Sequence, residues 1–134
     1  MRSNFSDASI TILIVDDHPV VRNTLRQWLS VEFPRAEIRV FRSAEDLCAK
    51  FDALQPATVL MDISLPGMNG IEATKIITAR YPGTRVVLFS IHDSPAYREE
   101  GMLAGAACFV RKDLASTDLL PALRSLIPDI SGSG

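Results

Sequence analysis

The sequence predicts an α/β three-layer sandwich, a five-stranded parallel sheet in the order 2-1-3-4-5 with helices on both faces. Five short apolar runs alternate with five segments of helical periodicity, and β-α repetition of this kind builds a parallel sheet covered on both sides. The length of 134 residues suits one domain, able to bury about two-thirds of its unfolded surface without staples. Hydrophobic residues at 47% and charged residues at 22% give an ordinary globular balance, which excludes a disordered chain.

The first apolar run, Ile10–Val15, has strand length and ends in Asp16-Asp17. Pro19 suits the first turn of a helix that places Val21, Leu25, Trp28 and Leu29 on one face, with Trp28 expected in the core. A second strand is predicted at Ile38–Phe41. Ser43-Ala44-Glu45-Asp46 then resembles a capping box with Asp in place of Glu, opening a helix striped by Leu47, Phe51 and Leu54. The third strand, Thr58–Met61, runs into Asp62. Pro66-Gly67 suits a type II turn, and Asn69 suits the cap of a helix carrying Ala73, Ile76, Ile77 and Arg80. Pro82-Gly83 closes it.

A fourth strand is predicted at Arg85–Phe89 and a fifth at Ala106–Val110. Between them Pro95–Ala104 reads as a weak helix, with Gly101 inside it and few large apolar residues. The last helix carries Leu119, Leu123, Leu126 and Ile127, and Pro121 leaves its start open, because an interior proline removes a backbone hydrogen bond. Residues 1–8 and 129–134 are expected to be disordered tails, the second of linker composition, which assigns 9–128 to the domain.

Fourteen basic against sixteen acidic residues give a net charge of −2, with no basic excess to suggest nucleic-acid binding. No run approaches membrane-spanning length, and residues 1–9 lack the pattern of a signal peptide. A cytoplasmic domain is expected. Cys48 and Cys108 form no metal or redox motif and are expected to be buried free thiols.

Functional groups recur at strand ends: Asp16 and Asp17 after the first, Asp62 after the third, Ser90 after the fourth, Lys112 after the fifth. Ligands of open parallel sheets bind beyond these carboxyl ends, where the strand order reverses. Three converging carboxylates repel unless a cation sits among them. Mg²⁺, a hard ion preferring oxygen ligands, is the economical choice. Zinc is disfavoured, since His18 and His92 lie outside any ligand spacing and no cysteine is adjacent. Carboxylates, a metal, a lysine and a hydroxyl together suit a phosphoryl group, with one Asp as nucleophile.

Residues 12–22 (Ile-Leu-Ile-Val-Asp-Asp-His-Pro-Val-Val-Arg), 61–70 (Met-Asp-Ile-Ser-Leu-Pro-Gly-Met-Asn-Gly), Leu88-Phe89-Ser90 and Phe109-Val110-Arg111-Lys112 resemble the receiver domain of bacterial two-component response regulators. The likeness covers about residues 10 to 127. Its phrasing is most similar to regulators with a LuxR-type helix-turn-helix output. It implies a flavodoxin-like (βα)5 fold. It also implies that Asp62 is the phosphoacceptor and that Asp17, Asp62 and the Ser64 backbone carbonyl bind Mg²⁺, with Mn²⁺ as a substitute. Asp16 would act on the metal largely through water. Lys112 would pair with phosphoryl oxygens, and Ser90 and Phe109 would form the conformational switch. Ser64 and His92 would tune the phosphate lifetime.

Two departures from the family pattern stand out. Phe109 lacks the hydroxyl of the tyrosine common at that position, and Asp113 follows Lys112 where many receivers carry proline, so a cis peptide is not implied.

The expected function is a phosphorylation switch: a sensor histidine kinase donates to Asp62, and the domain catalyses only its own phosphorylation and dephosphorylation. Homodimerisation on phosphorylation is compatible with the family. The residues after Lys112 suffice for one helix and a tail, so DNA is expected to be read by a LuxR-type output domain outside this sequence. The alternatives are a stand-alone receiver acting by protein contact and a phosphate-independent pseudo-receiver. The latter usually loses an acidic residue or the lysine, all present here. An Asp-based phosphohydrolase would show Asp-x-Asp where Asp62 is followed by Ile63-Ser64. An FMN site would need a hydroxyl-rich loop in place of Asp16-Asp17.

Overall fold

The strands form where apolar, largely β-branched runs can be buried from both sides. The structure, a computed structural model, describes residues 10–54, 58–92 and 94–127; the tails predicted at 1–8 and 129–134, and the domain limits 9 and 128, lie outside them. Its elements are β1 (Thr11–Val15), α1 (Pro19–Glu32), β2 (Glu37–Phe41), α2 (Ala44–Lys50), β3 (Thr58–Asp62), α3 (Gly70–Arg80), β4 (Arg85–Ser90), α4 (Pro95–Leu103), β5 (Cys108–Arg111) and α5 (Ala115–Leu126). Short 3₁₀ turns follow α2 at Phe51–Ala53 and precede α5 at Lys112–Leu114. All strand pairs are parallel, in the order β2-β1-β3-β4-β5, as predicted.

Every residue of β3 is buried, as is every residue of β4 beyond Arg85. Central strands of a doubly covered sheet read as continuous apolar runs for this reason. β2, at an edge, instead exposes Glu37 and Arg39, charges that discourage pairing with another chain. Alternation along the strands divides the interior in two. Leu13, Val15, Val59, Met61, Val86 and Leu88 face α2 and α3 through Leu47, Ala73 and Ile77. Ile12, Ile14, Leu60, Val87 and Phe89 face α1 and α5 through Leu25, Leu29, Leu119 and Leu123.

Several expectations are corrected. Trp28 is only half-buried, because the fully buried stripe of α1 is Leu25 and Leu29. Ile76 is 46% exposed; α3 buries Gly70, Ala73, Thr74 and Ile77, and Ile76 falls off that face. β5 begins at Cys108 rather than Ala106, since Gly105 turns the chain at φ +110° and the Ala106 N–H still bonds back to the Gly101 carbonyl. α5 begins at Ala115 and continues through Pro121, held by the buried Leu119 and Leu123 on either side. Cys48 and Cys108 are free but half-buried, and burial pushes both thiols up, away from the reactive thiolate.

The caps agree with the sequence. The Ser43 side chain accepts from the Asp46 N–H at 3.0 Å, half of a capping box, while the Asp46 carboxylate pairs with Lys50. Asn69 and Glu72 make the complete box at 2.9 and 3.1 Å, which fixes where the loop after β3 ends.

Candidate functional site

β1 and β3 are neighbours, yet the chain leaves them toward opposite halves of the sheet, so a crevice opens at their carboxyl ends. Asp16 and Asp17 follow β1 directly and Asp62 is the last residue of β3, which brings all three to this crevice. Lys112 reaches it from the end of β5, two strands away. One ligand atom from each of Asp16, Asp17, His18 and Asp62 lies within 4.8 Å of the others.

Asp16 is 1% exposed and heavily engaged. Its Oδ2 accepts from Lys112 Nζ at 2.7 Å, and its Oδ1 accepts from the His18 backbone N–H at 2.9 Å. The His18 ring Nδ1 lies 3.1 Å from the same Oδ1. The Asp16 backbone is held as well, since its N–H donates to the Phe41 carbonyl and Arg22 Nη1 donates to the Asp16 carbonyl at 2.8 Å.

Asp62, 2% exposed, is less satisfied. Its Oδ1 accepts the Ser64 N–H at 3.1 Å. Its Oδ2 accepts no hydrogen bond among the described residues, with Lys112 Nζ 3.3 Å away. Burial, and then the Asp16 charge, raise the Asp62 carboxyl above the usual carboxylate range, against the lowering pull of Lys112 and the Ser64 N–H. Asp17 leaves one buried oxygen, Oδ1, similarly without a hydrogen bond. Two buried carboxylate oxygens that accept no hydrogen bond among the described residues, beside a third carboxylate, fit a divalent cation, which would be held by Asp16, Asp17 and Asp62.

The other predicted residues are distributed around this core. Ser90 is fully buried at the end of β4, beside Phe89, the register partner of Asp62, and its Oγ accepts the His92 N–H at 3.0 Å. Ser64 and His92 are both exposed on the flanking loops. Phe109 is half-buried on β5 against the first core, and the Arg98 guanidinium of α4 lies 4.5 Å over its ring. Arg111 pairs with Asp113 at 2.6 Å, next to Lys112.

Two residues without a predicted role belong to the site. The sequence spacing of His18 matches no ligand motif; the turn after β1 nevertheless folds its ring back onto Asp16 and Asp17. Arg22 sits one turn into α1, at a distance in sequence that gives no hint of its bond to the Asp16 carbonyl.

The loop wall is built around two glycines. Gly67 takes φ +76° in the predicted turn, a region open to glycine. At Gly70 a Cβ would run into the Asp62 carbonyl oxygen and lie 2.9 Å from the Ile63 Cα. Glycine there allows α3 to start directly against the phosphoacceptor candidate's backbone. Glu45 braces the same loop by accepting the Met68 N–H at 2.8 Å. A groove lined by Ile63, Ser64, Leu65, Tyr97, Glu100 and Leu103 separates this loop from α4, and Asp16, Asp17 and Asp62 are not among its lining residues.

Residues 12–124 match the response regulator receiver domain family. The transcriptional activator protein ExaE of Pseudomonas putida is 34% identical over 87% of this chain and 54% of its own. A LuxR-family two-component response regulator from Aurantimonas superposes with a TM-score of 0.81 at 29% identity, covering 89% of this chain and 85% of that one. The response regulator TrrA of Thermotoga maritima, solved in complex with Mg²⁺-BeF, superposes with a TM-score of 0.78 at 27% identity over 87% and 98% of the two chains. The chain spans about half the length of the curated relatives it matches. With the match running over most of its length, the chain belongs to the response regulator receiver domains of two-component systems.

Proposed function

We propose that Asp62 is the phosphoacceptor of a Mg²⁺-dependent switch, charged by a sensor histidine kinase and read out as a change in transcription. Receiver domains are signalling domains that interact with histidine kinases and generally bind Mg²⁺ at an acidic pocket. The observation that carries the assignment is the Asp62 side chain, buried at a strand end with Oδ2 unbonded and an ammonium 3.3 Å away.

In this reading Asp62 Oδ2 attacks the phosphorus of a phosphohistidine. A P–O bond forms while the P–N bond breaks, and the departing imidazole keeps the electron pair and takes up a proton. Asp16, Asp17, Asp62 and the Ser64 carbonyl would hold the metal, which, when bound, neutralises charge on the transferred group. Mn²⁺ would substitute, since it shares the preference for oxygen ligands. Lys112 shifts from the Asp16 carboxylate toward the new phosphoryl oxygens. Ser90, one residue past the register partner of Asp62, donates its hydroxyl to the phosphoryl group and releases the His92 N–H. Phe109 then turns inward from beneath Arg98, altering the α4–β5–α5 surface. Ser64 and His92 flank the path of the water that hydrolyses the aspartyl phosphate.

The transcriptional output is supported by the relatives, ExaE among them, which are transcriptional regulators. In those proteins this chain corresponds to about half the length, so DNA binding is assigned to a LuxR-type output domain and not to the receiver. Phosphorylation would then favour a receiver homodimer.

Intact mass after incubation with a small acyl phosphate and Mg²⁺ tests the proposal. One added phosphoryl group is expected, absent in Asp62→Asn and with EDTA. A gain that survives Asp62→Asn places the chemistry elsewhere, and no gain from either acyl phosphate or a phosphorylated kinase overturns it.

A further inference from the structure

The His18 side chain is 63% exposed, yet its Nδ1 is turned inward, 3.1 Å from Asp16 Oδ1 and 3.2 Å from Asp17 Oδ1. The backbone sets this geometry, because the His18 N–H is anchored on the same Asp16 oxygen at 2.9 Å and closes a tight turn. A ring nitrogen carries at most one proton, so it can donate to one of these oxygens and not to both. Among the described residues Asp17 Oδ1 is buried without a hydrogen bond, as is Oδ2 of the 2% exposed Asp62, which faces Lys112 Nζ at 3.3 Å, and one ligand atom of each of Asp16, Asp17, His18 and Asp62 lies within 4.8 Å of the others. The nitrogen thus lies where a lone pair, once its proton has moved to Nε2, would face the same point as the carboxylates.

We propose that His18 is a nitrogen ligand of this centre and opens it to imidazole-favouring first-row transition ions, Zn²⁺ above all, in addition to Mg²⁺. The proposal rests on the acidic centre described under the proposed function and adds to it a selectivity element from this chain's own turn. An all-oxygen set suits Mg²⁺ and Mn²⁺, whereas an imidazole adds affinity for Zn²⁺, Ni²⁺ and Cu²⁺. Mg²⁺ gains little from nitrogen and would be held by the carboxylates in the same way with or without the ring. Zn²⁺ gains a bond that it prefers. Occupation by Zn²⁺ would fill the site with an ion of different coordination and compete with Mg²⁺ for the same carboxylates.

The test uses the full, tag-free chain and titrates Zn²⁺ and Mg²⁺ separately by calorimetry into wild type, His18→Ala, His92→Ala and Asp17→Asn. Because His18 is exposed, its replacement leaves the core intact, and circular dichroism checks this. His18→Ala is expected to weaken Zn²⁺ binding about tenfold or more while changing Mg²⁺ binding less than about twofold. His92→Ala should alter neither. In ¹⁵N NMR of labelled histidine, saturating Zn²⁺ should make His18 Nδ1 the metallated nitrogen and Nε2 the protonated one. Equal Zn²⁺ affinity in wild type and His18→Ala, or an imidazole unchanged by Zn²⁺, overturns the role of His18 while leaving the Mg²⁺ site standing. Unchanged affinity of both metals in Asp17→Asn overturns the acidic centre itself, and with it the proposed function.

Discussion

Asp62 is held in a state that the fold does not favour. It is 2% exposed, faces the Asp16 charge, and its carboxyl is raised above the usual range by burial and then by that charge. A carboxyl raised in the folded state binds its proton more tightly there than in the unfolded chain. In metal-free protein its cost is therefore fully present at neutral pH and is relieved as the pH falls through the raised value toward the ordinary one. Asp62→Asn removes the charge and keeps the shape. We expect that variant to be more stable than wild type by ~1 kcal/mol in EDTA at neutral pH, about 3–5 °C in thermal midpoint. The gap should close on acidification, and a constant or widening gap would show that Asp62 is unstrained. Comparing the two chains cancels Glu45, whose carboxyl is lowered by the Met68 N–H and which acts in the opposite direction as pH falls.

Among the elements, α4 is the loosest attachment, and the cause is compositional. Of its residues only Gly101 is buried, while Met102 and Leu103 are 46% and 81% exposed. Gly101 sits directly on Leu88 Cδ1, so a Cβ there would collide with a fully buried side chain. Gly101→Ala sets a gain in helix propensity of ~1 kcal/mol against overpacking of ~1–3 kcal/mol. Overpacking should win, because Leu88 is fully buried in the central strand β4. Hydrogen exchange in Pro95–Leu103 is expected to accelerate about fivefold, equivalent to ~1 kcal/mol, with β1 and β3 amides unchanged. Slower exchange would mean that propensity dominates. The weakness of this helix was legible in the sequence, since it carries few large apolar residues and has Gly101 inside it. The Arg98 ring contact with Phe109 was not, because it joins residues whose proximity depends on how closely Gly101 lets α4 approach the sheet.

At the scale of the whole molecule, strand order converts residues far apart in sequence into one site. Asp16, Asp62 and Lys112 were legible because strand ends are readable from periodicity and a parallel sheet puts all its carboxyl ends at one edge. His18 and Arg22 were not, since their inward contacts depend on the turn after β1 and on helix phase rather than on any repeat. The same convergence links the site to global stability. Asp16-Asp17 and Asp62 terminate adjacent central strands, and Lys112 ties in the far edge. An ion bound among them is lost whenever the sheet comes apart, so its binding energy adds to the stability of the whole domain. Mg²⁺ at about one hundred times its dissociation constant should therefore stabilise the wild type by ~2.7 kcal/mol, raising a single cooperative transition by several degrees. Asp17→Asn should lose most of this gain. A Mg²⁺-independent midpoint, or a response confined to local hydrogen exchange near Ser64, would show that the three carboxylates do not act as one site.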